Sequence, residues 1–386
     1  MVLIMNWIFP YCPNKGNLSI NWHCLEDKFD WLRVLADCPQ DSRYHAEGDV
    51  LTHTKLVCEA LVALPQWQAL PETERSVLFA AALLHDVAKP SATKIEDSGA
   101  ISSKGHVLQG AKMTQQILWD LNVPFKQREE IVALVKYGSL PLWFWDKSNP
   151  EQAVIKASQI IRCDMLAMLA EADVKGRYCD DRKQLLERIE FFREFCREND
   201  CFTQPRLFPS AHSRFIYFQK EEGNPDYHAY DDTRFQVVMM SGLPGSGKDT
   251  WIKENLPDYK VISLDQLRQE MGIKPSENQG EVANAAKSLA KNYMRSQQSF
   301  VWNATNLSQQ LRGILIRLFA AYQAEIRIVY LETSWSELLQ RNKNRTEKVP
   351  EKVLYRMKNR LEVPKIIEAH RVDWIFNSTM PQLTVI

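Results

Sequence analysis

The run Gly242-Leu-Pro-Gly245-Ser246-Gly247-Lys248 constrains this chain more than any other feature. Before it stands the apolar segment Phe235-Gln-Val-Val-Met-Met, and after it a helix is expected from Asp249 onward. A strand, a glycine turn and a helix in that order line up backbone N–H groups and the positive end of a helix dipole on one concave surface. Such a loop cradles phosphates, and its lysine reaches their outer oxygens. Gly242, Gly245, Ser246, Gly247 and Lys248 are therefore expected to hold a nucleoside triphosphate. Asp249 takes the place where Ser or Thr ordinarily meets magnesium. A carboxylate also holds magnesium, directly or through water, and Thr250 offers a hydroxyl one residue on.

The loop sets the texture of the C-terminal part. Short apolar runs, Phe235 to Met240, Lys260 to Leu264, Phe300 to Trp302, Ile326 to Leu331 and Trp374 to Phe376, alternate with helical segments. That alternation predicts βαβ units and a parallel, doubly wound sheet. From about Leu25 to Cys196 the apolar residues recur at helical spacing instead, as in Leu51, Leu56, Ala60 and Leu64, or Val154, Ala157, Ile161, Met165 and Met168. Between them, Pro205, Pro209, Gly223 and Pro225 with clustered charges read as a linker. The expected architecture is multidomain: an all-α N-terminal domain over 1–198, a linker over 199–233, and an α/β P-loop domain with a parallel sheet over 234–386.

At 386 residues two cores are expected. The 48 Lys and Arg residues balance 48 Asp and Glu, so composition carries no general basic signal for nucleic acid. The eight cysteines include no C-x-x-C pair and no regular spacing, which argues against a zinc site or a disulfide framework and for reduced thiols in a cytoplasm. The apolar stretch Met1 to Pro10 is too short for a membrane span and reads as structure packed on the core.

Phosphoryl transfer to a hydroxyl needs a base and cations around the moving group. Asp265 falls at the carboxyl end of the second strand of the α/β part, where open sheets gather ligands, with Arg268 one helical turn on. It reads either as the base or as a helix cap with Arg268 for a surface partner. Arg341 and Arg345, spaced i,i+4, face either phosphates from a lid or solvent. Gly242 to Lys248, Asp265-Gln-Leu-Arg268, Asn303-Ala-Thr-Asn306-Leu, Arg341-Asn-Lys-Asn-Arg345 and Val349-Pro350 together resemble the 5′-OH polynucleotide kinase family over residues 235 to about 363. The resemblance implies ATP with Mg2+, phosphate binding by Lys248, Asp265 as general base, Arg268 on the acceptor's terminal phosphate and Arg345 as a lid arginine on ATP. Members of that family often carry an Asp near the Thr-Asn pair, where this chain has Asn303 and Ala304.

The N-terminal part holds His53, the pair His85-Asp86, His106 and Asp173. Imidazole and carboxylate in that order suit either a metal that activates water or hydrogen-bonded core histidines. Gly48-Asp-Val-Leu-Thr-His53-Thr, Leu83-Leu-His85-Asp86-Val-Ala-Lys89, Gly105-His106 with Gly110, and Asp173-Val-Lys175-Gly-Arg177 resemble the HD phosphohydrolase superfamily over about residues 40 to 180. The resemblance implies His53, His85, Asp86 and Asp173 as ligands of a divalent transition metal such as Mn, Ni, Co or Zn. His106 is then expected at a second metal or at substrate, and Lys89, Lys175 and Arg177 at substrate phosphate.

The two halves together resemble bacterial bifunctional enzymes that heal nucleic-acid ends. The resemblance implies a chain that phosphorylates 5′-OH ends, processes 2′,3′-cyclic phosphate ends, takes ATP and the ends of RNA, with DNA as the other candidate, and needs no membrane. A kinase of small molecules with a regulatory or nucleotide-hydrolysing HD domain is the competing expectation. Trp143, Phe144 and Trp145 beside Lys147 read first as core and second as a base-stacking surface.

Overall fold

The computed structural model describes residues 7–274, 277–345 and 348–376. The chain divides into two compact units, Met1–Leu207 and Phe208–Ile386.

Among its described residues the first unit is helical apart from an isolated bridge between Asn14 and Asn17 and a short hairpin, β1 (Lys94–Ile95) paired antiparallel with β2 (Ile101–Ser102), which helical periodicity could not foresee. Its core is built on the helix Glu72–Leu84, where Val77 to Leu84 are all buried, and on Cys163–Lys175, where Met165 to Ala170 are likewise buried. A helix apolar on all sides has to be surrounded, and these two are. Phe9 packs beside Phe29 and Phe79, so the start of the chain joins this core from Trp7 on; residues 1–6 lie outside the described residues.

One expected stripe is corrected. In the helix Val50–Ala63 the inward face is Val50, His53, Thr54, Val57, Cys58, Leu61 and Val62, while Leu51, Leu56 and Ala60 are only partly buried. Of the expected stripe Leu64, just past the helix, is buried, and the others lie off the inward face because that face carries the polar pair His53 and Thr54. The stretch 199–233, expected to be a linker, contains the helix Ala211–Gln219. Its Phe215 is buried in the core of the second unit. Trp143 and Trp145 are exposed and only Phe144 is buried among that triplet.

In the second unit β3 (Phe235–Ser241), β4 (Lys260–Ser263), β5 (Phe300–Asn303), β6 (Ala324–Glu332) and β7 (Arg371–Phe376) form one parallel sheet in the order β4-β5-β3-β6-β7. Strands buried on both faces need continuous apolar runs, as Val237-Val-Met-Met240 supplies. Val237, Met239, Trp302, Ile326 and Ile328 belong to one core; Val238, Met240, Val301, Val329 and Leu331 belong to the other with Trp251 and Ile252. That second contact seats the helix Lys248–Asn255 against the sheet, directly after the glycine loop. The chain leaves β3 toward β4 and β5 on one side and later reaches β6 and β7 on the other. The loop after β3 thus stands at the switch point where open α/β sheets bind ligands.

Among the described residues no helix is long and apolar enough to cross a membrane. All eight cysteines are free. Cys163, Cys196 and Cys201, though irregularly spaced in sequence, come within 4.8 Å of one another through their sulfurs in the N-terminal core. Sequence spacing had pointed away from any such grouping.

Candidate functional site

Each unit gathers charged groups in one place. In the second unit the glycine loop is shaped by backbone that only glycine tolerates. Gly242 has φ +139°, and a Cβ there would stand 2.4 Å from the Leu331 carbonyl oxygen. Gly247, at φ +100°, begins the helix Lys248–Asn255. The loop after β5 braces it: Gly242 N–H donates to the Thr305 carbonyl (3.0 Å), Asn306 Nδ2 to the Met240 carbonyl (2.6 Å) and Ser241 Oγ to the Asn306 carbonyl (3.2 Å). Ser246 is buried within the loop.

Lys248 Nζ folds back onto the carbonyls of Gly242 (3.0 Å) and Leu243 (2.9 Å). Burial pulls its pKa down to about 8, opposed by Asp249 and Asp265 and reinforced by Arg345. Asp249, Asp265 and Arg345 are thus the charges that act on Lys248. Asp265 is exposed in the first turn of the helix Leu264–Glu270 and pairs with Arg268. Ser263, not Asp265, caps that helix, so capping does not account for the aspartate. Arg268 Nε also donates to Gln279 (2.8 Å). Arg341, on the helix Trp335–Lys343, reaches the Gly245 carbonyl (3.4 Å) and pairs with Glu337; Arg345 is half-buried just beyond that helix. Asp249 accepts from Asn303 Nδ2 at 2.7 Å, and Thr250 is exposed beside it.

In the first unit, helix ends bring distant side chains together. His53 lies in the first turn of Val50–Ala63, which Asp49 caps. His85 and Asp86 follow Glu72–Leu84, His106 opens His106–Asp120, and Asp173 sits in the last turn of Cys163–Lys175. His53 Nε2 is 3.1 Å from Asp173 Oδ1, 3.3 Å from His85 Nε2 and 3.8 Å from Asp86 Oδ2. His85 Nε2 is 3.2 Å from Asp86 Oδ2, and His106 Nε2 is 3.5 Å from Asp86 Oδ1.

The donor set suits a cation. His85 Nδ1–H donates to the Ala82 carbonyl and His106 Nδ1–H to the Ser103 carbonyl, both at 2.7 Å, so each Nε2 turns a lone pair toward carboxylate oxygen. Lone pairs repel unless a proton or a metal stands among them. Ligands held about 2.1 Å from one ion lie roughly 3.0 to 3.5 Å apart at octahedral or tetrahedral angles, as most of these atoms do. Burial pushes the Asp86 carboxyl up, yet His85, Lys89 and His53 hold it well below the usual range. Burial opposes ionisation of Asp173 too, and Arg177, His53 and His85 prevail. Burial pulls His85 down, but Asp86 and Asp173 leave it raised.

Lys89 Nζ meets Asp86 Oδ2 and Gln40 Oε1, each at 2.7 Å, and Arg177 pairs with Asp173. Lys175 pairs with Glu171, outside the cluster. Arg177 also lines a cleft of about 370 Å³ with Ser42, Arg43, Ala46, Tyr178 and Arg182. Two residues escaped the sequence reading: Glu47 Oε1 lies 2.8 Å from both His53 Nδ1 and His45 Nδ1. His45-Ala-Glu47 just ahead of the Asp49 cap was the sole signal available, and it follows no helical or strand period.

Residues 237–364 match the family model AAA_33, an AAA domain. The L-seryl-tRNA(Sec) kinase of Methanococcus maripaludis is 22% identical over 135 residues, 33% of this chain and 53% of that protein. Mouse heterogeneous nuclear ribonucleoprotein U-like protein 2 is 27% identical over 150 residues, 34% of this chain and 20% of that protein. The chain thus spans about half or less of these relatives. A solved structure from Chloroflexus aurantiacus aligns at TM-score 0.33 and 16% identity, over 38% of this chain and 88% of that one. The C-terminal unit carries a kinase-like P-loop domain on a five-stranded parallel sheet.

Proposed function

We propose that this chain is a bifunctional RNA end-healing enzyme: an ATP-dependent 5′-OH polynucleotide kinase joined to an HD-type metal-dependent phosphohydrolase acting on 2′,3′-cyclic phosphate ends. The observation that carries the reading is the presence, in one chain, of a phosphate loop whose Lys248 is acted on by Asp265 and Arg345, with Arg268 paired to Asp265, and of a histidine–carboxylate cluster. The relative from Methanococcus maripaludis is named as a kinase of seryl-tRNA, which favours an RNA-borne hydroxyl as acceptor.

In the kinase unit, Lys248 leaves the Gly242 and Leu243 carbonyls for the outer phosphate oxygens of ATP. Asp265 takes the proton of the acceptor hydroxyl as its oxygen bonds to the γ-phosphorus and the bond to the β-phosphate oxygen breaks. Arg268 holds the acceptor's nearest phosphate, and Arg341 and Arg345 offset charge on the moving group. Asp249 would hold magnesium, directly or through water, and the cation would supply neutralising charge to the phosphates.

In the N-terminal unit, His53, His85, Asp86 and Asp173 are the residues to hold a divalent transition metal, whose chemistry is to lower the pKa of a bound water. Arg177 and Glu47 keep Asp173 and His53 in place, and Lys89 and His106 flank Asp86 where a substrate phosphate would enter. The proposed limits are 1–198 for the N-terminal activity and 234–386 for the kinase, each inside one compact unit.

Transfer of labelled phosphate from ATP to a 5′-OH oligoribonucleotide, lost in Lys248→Ala, is the expected result. Transfer to small hydroxyl compounds and to no oligonucleotide would leave the competing small-molecule kinase. Manganese-dependent opening of a 2′,3′-cyclic nucleotide should vanish in Asp86→Ala; hydrolysis that survives that substitution refutes the N-terminal half of the reading.

A further inference from the structure

In P-loop enzymes magnesium is commonly held by a hydroxyl on the loop and a carboxylate at the end of a neighbouring strand. Here the carboxylate stands on the loop, and an amide stands at the strand end. The loop position is Asp249, and the strand end facing it, the last residue of β5, is Asn303, whose amide donates to Asp249 Oδ1 at 2.7 Å. Asn303 is 7% exposed and fixed in the sheet, whereas Asp249 is exposed at the mouth of the loop. A buried neutral amide cannot supply charge to a cation. It can hold a carboxylate in one rotamer, with the second oxygen left for a metal or its water.

We infer that Asp249 and Asn303 are an exchanged pair: the carboxylate that serves magnesium sits on the phosphate loop, and Asn303 is the positioning residue that aims it. The inference rests on the nucleotide-binding reading of the loop and concerns how that site uses its metal. Two consequences separate it from a tolerated substitution. Without metal, the Asp249 charge repels the phosphates, so nucleotide binds weakly. With magnesium the repulsion becomes attraction, so the gain in affinity on adding the metal is unusually dependent on residue 249.

The test is the affinity of the full chain for fluorescent ADP, measured in EDTA and in magnesium, with Lys248→Ala as the baseline for binding elsewhere. Wild type should gain tenfold or more from magnesium. Asp249→Ser should bind metal-free ADP about three to ten times more tightly than wild type while its magnesium gain falls below about threefold. Asn303→Ala should lose about three- to tenfold of the gain and leave metal-free binding near wild type, a split that general damage to the loop would not produce. Asp249→Ser combined with Asn303→Asp, which restores the usual hydroxyl and carboxylate, should recover the gain to within about threefold of wild type. An undiminished gain in Asp249→Ser, or a double variant no better than that single one, overturns the exchanged pair. Absence of ADP binding by wild type overturns the nucleotide reading itself and the inference with it.

Discussion

Arg312 offers the sharpest test of how the phosphate loop is held. It is fully buried, its Nε and Nη2 grip the Glu368 carboxylate at 2.7 and 3.0 Å, and its Nη1 donates to the carbonyls of Asn306 (3.0 Å) and Glu362 (2.8 Å). The Asn306 carbonyl also accepts from Ser241, the last residue before the glycine loop. Arg312→Met strands the Glu368 charge in the interior, a loss of about 3 to 5 kcal/mol, and frees two carbonyls at about 1 kcal/mol each. The sum approaches the whole stability of a small domain, about 5 to 15 kcal/mol. Arg312→Met with Glu368→Met removes both charges and leaves the carbonyl losses plus the Lys365 N–H that Glu368 accepts at 2.8 Å, about 1 kcal/mol more, so the double variant should be about 2 to 4 kcal/mol more stable than the single one. Urea titration followed by amide exchange of Val237 to Met240 reads the C-terminal unit apart from the N-terminal one. A single variant within about 1 kcal/mol of wild type, or a double variant less stable than Arg312→Met, contradicts the bracing of the loop by this buried ion pair.

Three further outcomes are expected. His370 is buried, accepts the Ile326 N–H at Nδ1 (3.0 Å) and stacks on Phe215, and burial with His212 beside it pulls its pKa down to about 4. Stability from the neutral ring is complete above pH 6.5 and is lost as pH falls toward 4, about 3 kcal/mol in all, so urea midpoints of wild type should fall further than those of His370→Asn over that range. Glu47→Gln, which weakens the grip on His53 Nδ1, should reduce metal affinity of the N-terminal unit about 10- to 100-fold in a manganese titration while the fold, followed by circular dichroism, persists. Gly242→Ala forces a Cβ against the Leu331 carbonyl at positive φ, and equilibrium dialysis should find nucleotide binding reduced at least tenfold.

Much of the C-terminal unit was legible because a parallel sheet writes itself as continuous apolar strands, and each expected run from Phe235 to Phe376 lies on a strand with its ends moved by a few residues. The N-terminal unit was legible in type but not in phase. Leu51, Leu56 and Ala60 gave an apolar stripe, yet the helix turns His53 and Thr54 inward, because a polar cluster replaces part of its apolar contact. Gly247, Lys248 and the pair His85-Asp86 announced themselves through local sequence. Glu47 at His53, Asn303 at Asp249 and the grouping of Cys163 with Cys196 and Cys201 depend on tertiary approach over 6 to 54 positions, which no period records.

The proposed function requires one chain to process both kinds of RNA end. The most direct measurement is mass spectrometry of a single oligoribonucleotide with a 5′-OH and a 2′,3′-cyclic phosphate, incubated with the purified chain, ATP, magnesium and manganese. A 5′-phosphate dependent on Lys248 and an opened or removed cyclic phosphate dependent on Asp86 are expected, each lost separately in Lys248→Ala and Asp86→Ala. An oligonucleotide recovered with both ends unchanged, beside a control enzyme that modifies them, would contradict it.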